Sequence, residues 1–391
     1  MRTWLNNGKV FTAVTPEPLE VDILIENGKI SALGKCDNDG NIIDVKGKYL
    51  FPGLVEAHCH LGLGGFGFRY DEQDYNEYTE CVTPELNSID AYNPMCETIA
   101  HARKGGVTCV ATGPGSSNVL GGYFIAVKTY GTCVDDALVK NKVAMKCAFG
   151  ENPKNLYKGK SISSRMTNAS KLREALFKAR EYMNKVDAAG DNAEKRPDFN
   201  MRHEALIPVL RREIPLKAHA HQVNDIFTAI RIAREFNVKL TIEHCTEGHL
   251  IAEALAGAGY PVAVGPTLTH ASKPELRNKS FATAGVLHRA GCQVSIITDS
   301  AVIPQQHLAL CASLAVKGGL DEFAALQAIT INAAKHVGIA DRVGSIEVGK
   351  DADIIVCSGN ILDTQTQVEM VLIDGKITDE ICCPAPDCTL T

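Results

Sequence analysis

Through the middle of the chain, short apolar runs alternate with alanine-rich stretches of helical period, and this alternation limits the fold more than any other feature. Strand candidates are Leu54 to His58, Val107 to Ala111, Val143 to Phe149, Leu216 to Ala220, Leu240 to His244, Val262 to Gly265 and Val294 to Thr298. Between two of them, Asp225 to Phe236 sets Ile226, Ile230, Ala233 and Phe236 at helical spacing. Strand then amphipathic helix, repeated, is the pattern of parallel βα units. Seven or eight such units over about 300 residues predict an α/β fold, a (β/α)8 barrel whose functional groups gather at the C-terminal strand ends. An open doubly wound sheet usually carries a GxGxxG turn after its first strand. Gly62-Leu63-Gly64-Gly65-Phe66-Gly67 has the wrong spacing, and Gly113-Pro114-Gly115-Ser116-Ser117-Asn118 lacks a phosphate-binding lysine. Both read as loops at the barrel mouth.

The two ends of the chain share a different grammar. Val21 to Ile30 is an alternating strand, an Asn27-Gly28 turn and the start of a second strand, and Val368 to Ile377 repeats this with Asp374-Gly375. Neither end has enough strands to bury a face alone. The expectation is therefore one small β-sandwich assembled from residues 1–50 and 346–391, flanking a barrel of residues 51–345. A chain of 391 residues is also longer than one hydrophobic core usually sustains.

Composition narrows the class. The 46 acidic and 40 basic residues are scattered, giving a net charge of -6 with no basic arm, so nucleic acid is not an expected partner. No apolar stretch approaches the roughly 18 to 20 residues of a membrane span, and the N-terminus reaches a turn before a signal-peptide core forms. A cytoplasmic protein is expected. The 14 cysteines form no CxxC pair. Cys109, Cys147, Cys245, Cys292 and Cys357 sit in apolar runs, and Cys382, Cys383 and Cys388 crowd the C-terminus, so the thiols read as reduced and structural rather than metal-binding.

Several strands end in a residue that binds metals. His58 and His60 alternate in an extended segment and so project from one side. His219 ends another strand with His221 two residues on, His244 ends the next, and Asp299 ends the last. Imidazole plus carboxylate is a ligand set for zinc or a similar divalent ion.

With these residues in place, the chain resembles the amidohydrolase superfamily of metal-dependent hydrolases, in its imidazolonepropionase-like and prolidase-like branch. The resemblance runs over the whole chain and rests on Phe51-Pro52-Gly53-Leu54-Val55-Glu56-Ala57-His58-Cys59-His60, His219-Ala220-His221, Ile242-Glu243-His244, Ile297-Thr298-Asp299 and Gly344 to Asp353. It implies a distorted (β/α)8 barrel beside a β-sandwich, and two divalent metal ions, zinc by the ligand set. It further implies His58 and His60 on one ion, His219 and His244 on the second, and Asp299 as ligand and proton carrier. Many relatives bridge the ions with a carboxylated lysine. Here Lys146 lies five residues before Glu151, about 16 Å along an extended strand, so Glu151 is the favoured bridging ligand, with Lys146 or a single-ion site as alternatives.

His221 and Tyr123 are candidates for substrate contact, and strand alternation turns Cys59 away from the metals. The long insert from Gly62 to Asn93 is the expected lid. The implied reaction is hydrolysis of an amide-type C–N bond in a dipeptide, an N-acyl amino acid or a cyclic amide such as an imidazolone. In it, a metal-activated water attacks and Asp299 moves the proton. A one-metal heterocycle deaminase and a non-catalytic scaffold are the competing readings. The expected partner is a small-molecule substrate, with further copies of the chain as an open question and no membrane.

Overall fold

The computed structural model describes residues 2–65 and 73–380; part of the expected lid and Cys382, Cys383 and Cys388 lie outside the described residues. Its central sheet has eight strands: β1 (Leu54–Cys59), β2 (Val107–Thr112), β3 (Leu120–Lys128), β4 (Leu138–Ala148), β5 (Leu216–Ala220), β6 (Leu240–His244), β7 (Val262–Val264) and β8 (Val294–Ile296). They neighbour one another in chain order from β1 to β8. Bonds between Val55 N–H and the Ile329 carbonyl (2.8 Å) and between His60 N–H and the Ser300 carbonyl (2.7 Å) help draw the two edges together. Helices wrap the outside, giving a distorted (β/α)8 barrel. The best defined is Val223–Phe236, which buries Ile226, Ile230, Ala233 and Phe236 as their spacing predicts.

The distortion lies in β2 to β4. The sequence reading expected parallel βα units throughout. Instead β3 is a nine-residue strand running antiparallel to both β2 and β4. The connections before and after it are too short to hold a crossover helix, so the chain can only turn back. From β4 to β8 all pairs are parallel, with Ala148 opposite His219, Ala220 opposite His244 and His244 opposite Val264. This register brings the C-terminal strand ends to one level.

Beside the barrel lie a four-stranded sheet from the N-terminal segment and a five-stranded sheet that joins strands from both ends of the chain. Leu5, Ile23, Ile25 and Ile30 of the first pack with Leu50, Ile354, Val356 and Leu372 of the second in one buried core. The two expected hairpin turns form, with positive φ at Asn27, Gly28, Asp374 and Gly375, the signature of tight two-residue turns. They touch: a Cβ on Gly28 would lie 3.1 Å from the Asp374 carbonyl oxygen. Beneath them the ammonium of Lys128, at the end of β3, meets Asp353 at 2.6 Å and Asp351 at 3.0 Å, and Arg342 meets Asp351 at 2.7 Å. Every cysteine among the described residues is a free thiol.

Candidate metal centre

Six of the predicted residues converge at the C-terminal mouth. His58 and His60 share the inward face of β1 and its extension, and both are buried. His219 lies near the end of β5 and His221 just beyond it. His244 closes β6, and Asp299 follows β8. Consecutive strand residues ordinarily face opposite ways, yet Glu243 and His244 both point inward, because His244 and Cys245 turn into the left-handed region with φ of 71° and 46°. Asp299 sits on a similar kink, φ 54°. Strained non-glycine backbone of this kind clusters where a side chain must be aimed.

The ring nitrogens show what the cluster lacks. His60 Nδ1–H donates to the Gly113 carbonyl (2.7 Å) and His244 Nδ1–H to the Gly265 carbonyl (2.9 Å). A carbonyl only accepts, so both rings carry their proton on Nδ1 and present a bare Nε2 lone pair inward. His60 Nε2 then faces Asp299 Oδ1 at 3.3 Å, two acceptors set against each other with no proton between them. His219 Nδ1 and Nε2, His244 Nε2 and Asp299 Oδ1 are all buried without a hydrogen-bond partner. Buried polar atoms are almost always paired, so four such atoms in one place mark a cation site. One ligand atom from each of His219, His221 and His244 lies within 4.8 Å of the others, and the same holds for His58, His244 and Asp299. The residues present fit a divalent metal centre.

Burial keeps these rings neutral, the form that ligates. It drives His219, His221 and His58 well below the ordinary imidazole range and pushes His244 down to about 4.

The lysine question turns on side-chain reach. Lys146 faces into the barrel from β4, and its Nζ lies 3.0 Å from His58 Nε2. The distance argument from the sequence counted backbone alone and started from Glu151, whereas β4 ends at Ala148 and the four-carbon stem of Lys146 climbs to the ligands. Burial pulls its ammonium down to about 8, against the attraction of Asp299 and Glu243. Glu151 instead opens the short helix Glu151–Leu156, and its carboxylate belongs to neither converging group. Tyr123 also falls elsewhere: its hydroxyl donates to the Ala205 carbonyl at 2.6 Å, away from the cavity. Cys59 packs in the core, as alternation predicts.

Below the ligands lies a charged layer that sequence reasoning missed. Glu243 Oε2 is 3.2 Å from His58 Nδ1 and 2.9 Å from Lys217 Nζ, while its Oε1 receives Thr241 Oγ1–H (2.6 Å) and contacts His336 Nε2 (2.9 Å). Lys146 donates to His58 Nε2, so Nδ1 carries the ring proton and faces Glu243. A carboxylate behind a histidine ligand is the usual way to fix its orientation. Glu56 receives Thr298 N–H, Thr298 Oγ1–H and Gln305 Nε2–H, stapling β1 to the segment that carries Asp299. The inward period that selects His58 and His219 also selects Glu56 and Lys217, and that was the available signal.

Above the ligands opens a cavity of about 720 Å3, floored by His60, His219, His221 and Asp299 and walled by Asn76, Ser116, Asn152 and Lys273. Tyr75 stacks on His60 with ring centroids 5.0 Å apart. Its lining thus combines ligands of the centre with polar side chains from the surrounding loops.

Comparison with known proteins agrees with this geometry. A model of the amidohydrolase family matches residues 49–378. An amidohydrolase structure from Thermotoga maritima MSB8 is 39% identical and superposes with a TM-score of 0.93, covering 97% of this chain and 100% of that one. The imidazolonepropionase of Thermoplasma volcanium is 26% identical over 353 residues, 85% of this chain and 83% of that protein. The amidohydrolase tasK of Hapsidospora irregularis is 28% identical over 390 residues, 90% of this chain, although the chain spans only 39% of tasK's length.

Proposed function

The chain belongs to the amidohydrolase family, and from that premise we propose that it is a metal-dependent hydrolase of an amide-type C–N bond in a small polar substrate. The observation that carries this reading is the set of inward-facing, unpartnered nitrogen and oxygen atoms around Asp299 at the floor of the cavity. His58, His60, His219, His244 and Asp299 would hold two divalent ions, zinc by the chemistry of the donors. Once bound, the ions activate water at neutral pH and polarise the substrate carbonyl. Lys146 would take the bridging place assigned to Glu151 from the sequence, its neutral amine adding to carbon dioxide with loss of one proton to give a carbamate. Its position against His58 supports this choice.

Asp299 moves the proton. Its Oδ1 is unpartnered and reaches the cavity floor, so it takes a proton from the attacking water and returns it to the leaving nitrogen as the C–N bond breaks. Glu243 keeps the His58 ring aimed while this happens. Asn76, Ser116, Asn152 and Lys273 line the wall on which the polar body of the substrate lies, and the named candidates are dipeptides, N-acyl amino acids and cyclic amides such as imidazolones.

The test is a hydrolysis screen over those three classes with chelator-stripped and zinc-reloaded protein. The reading expects turnover of at least one class, lost on stripping and regained on reloading. Ammonia release from a heterocycle with no amide hydrolysis favours the deaminase instead, and turnover indifferent to metal contradicts the proposal.

A further inference from the structure

Glu275 is a buried carboxylate beside the centre to which neither the sequence pattern nor the proposed reaction assigns a task. It lies in the single turn Pro274–Leu276, in the loop after β7, and is 1% exposed. Its Oε1 is 3.6 Å from His219 Nε2 and 3.6 Å from His221 Nε2. His221 is itself held from behind, its Nδ1 2.7 Å from Thr246 Oγ1, which leaves Nε2 facing the carboxylate.

The carboxylate is seated rather than stranded. Glu151 N–H donates to its other oxygen, Oε2, at 3.2 Å. The preceding residue, Gly150, has φ 82°, and a Cβ there would lie 2.6 Å from Oε2, so glycine supplies both the left-handed turn and the room. Lys273 Nζ meets Oε1 at 2.6 Å and is anchored on the far side by Asn152 Oδ1 at 2.9 Å. The carboxylate oxygen thus stands at an equal distance from two imidazole nitrogens, a carboxylate and two histidines being donor types that zinc takes.

We propose that Glu275 is a further ligand of the metal centre, its Oε1 completing the coordination of the ion held on the His219 side together with His221. The inference rests on the two-ion reading above. Lys273 then has a separate task, balancing the carboxylate from the mouth of the cavity.

Zinc titration against a competing chelator tests this on three proteins: wild type, Glu275→Gln, which keeps the shape and the Glu151 contact, and Lys273→Met, which removes the ion pair but leaves the carboxylate. The absorption spectrum of the cobalt-loaded forms reads the ligand set independently of activity. We expect two ions in wild type, a second ion weakened by on the order of 10 to 100-fold in Glu275→Gln with an altered cobalt spectrum, and both ions retained in Lys273→Met. Equal affinity for both ions in Glu275→Gln overturns the ligand role, even if substrate binding is lost. Equal weakening in Lys273→Met overturns it too, since the ion pair then matters and not the ligand. Failure of wild type to bind zinc overturns the two-ion reading along with it. A Glu275→Gln protein that does not fold is replaced by Glu275→Asp, for which a weakened second ion supports the proposal and wild-type affinity overturns it.

Discussion

Two clusters of charged side chains among the described residues are built on opposite rules. At the junction of the barrel with the terminal sheets, Lys128 is surrounded by Asp351, Asp353 and Asp374, and Arg342 and Lys29 close the set on Asp351. None of these groups is left without a partner. At the barrel mouth, His219, His244 and Asp299 keep buried atoms bare and close to one another. A buried charge left alone is expensive. The junction meets that cost inside the protein and so serves the fold, whereas the mouth leaves it open for a ligand.

Breaking each cluster therefore has a different signature. The largest effect belongs to Asp299→Asn: turnover falls by on the order of 10^2 to 10^4-fold, while bound metal measured by elemental analysis is mostly retained. Substantial activity in the folded variant removes Asp299 from proton transfer. Next comes Lys128→Met, which strands several carboxylates. We expect a loss of about 3–5 kcal/mol in urea unfolding, with unchanged metal content per folded molecule. If metal is lost as well, the two clusters are not independent.

A smaller effect is expected from Glu243→Gln, which removes the charge behind His58: zinc affinity drops by roughly 10 to 100-fold with the fold intact. Unchanged affinity in a competition titration makes Glu243 purely structural. The pH dependence follows from Lys146. Below about pH 8 its amine is protonated and donates to His58 Nε2, occupying the lone pair a metal needs; above about 8 it is neutral and free to leave. Zinc uptake by stripped protein with bicarbonate present therefore rises as pH passes upward through about 8. Lys146→Gln flattens that rise, and a flat profile in wild type contradicts the bridging role. Smallest of all, Tyr123→Phe loses one buried hydrogen bond to Ala205, about 1 kcal/mol of stability, and leaves turnover as it was; a fall in kcat would return Tyr123 to the site.

What the sequence shows follows from the same physics. Strand period two exposes His58 with His60, and the apolar strands ending in His219, His244 and Asp299 place those residues at one end of a barrel. The terminal hairpins are legible from Asn27-Gly28 and Asp374-Gly375 because few residues adopt that turn. The strand Leu120–Lys128 was hidden by its own Gly121-Gly122, and its antiparallel course depends on connection lengths that the alternation of elements does not report. Lys146 was misplaced because strand arithmetic measures backbone, and a long side chain reaches further than its Cα. Glu275 left no trace: Lys273-Pro274-Glu275-Leu276 has neither strand nor helix period, and its burial comes from a loop folding back over the barrel onto Gly150.

The central claim is that the unpartnered atoms at the barrel mouth belong to bound metal. Elemental analysis of wild-type protein purified without chelator, followed by unfolding with and without added zinc, tests it most directly. The account predicts two divalent ions per chain and an unfolding midpoint that falls on stripping and recovers with zinc, by about 2.7 kcal/mol at a hundredfold excess over the dissociation constant. A chain that carries no metal and unfolds identically with and without zinc contradicts it.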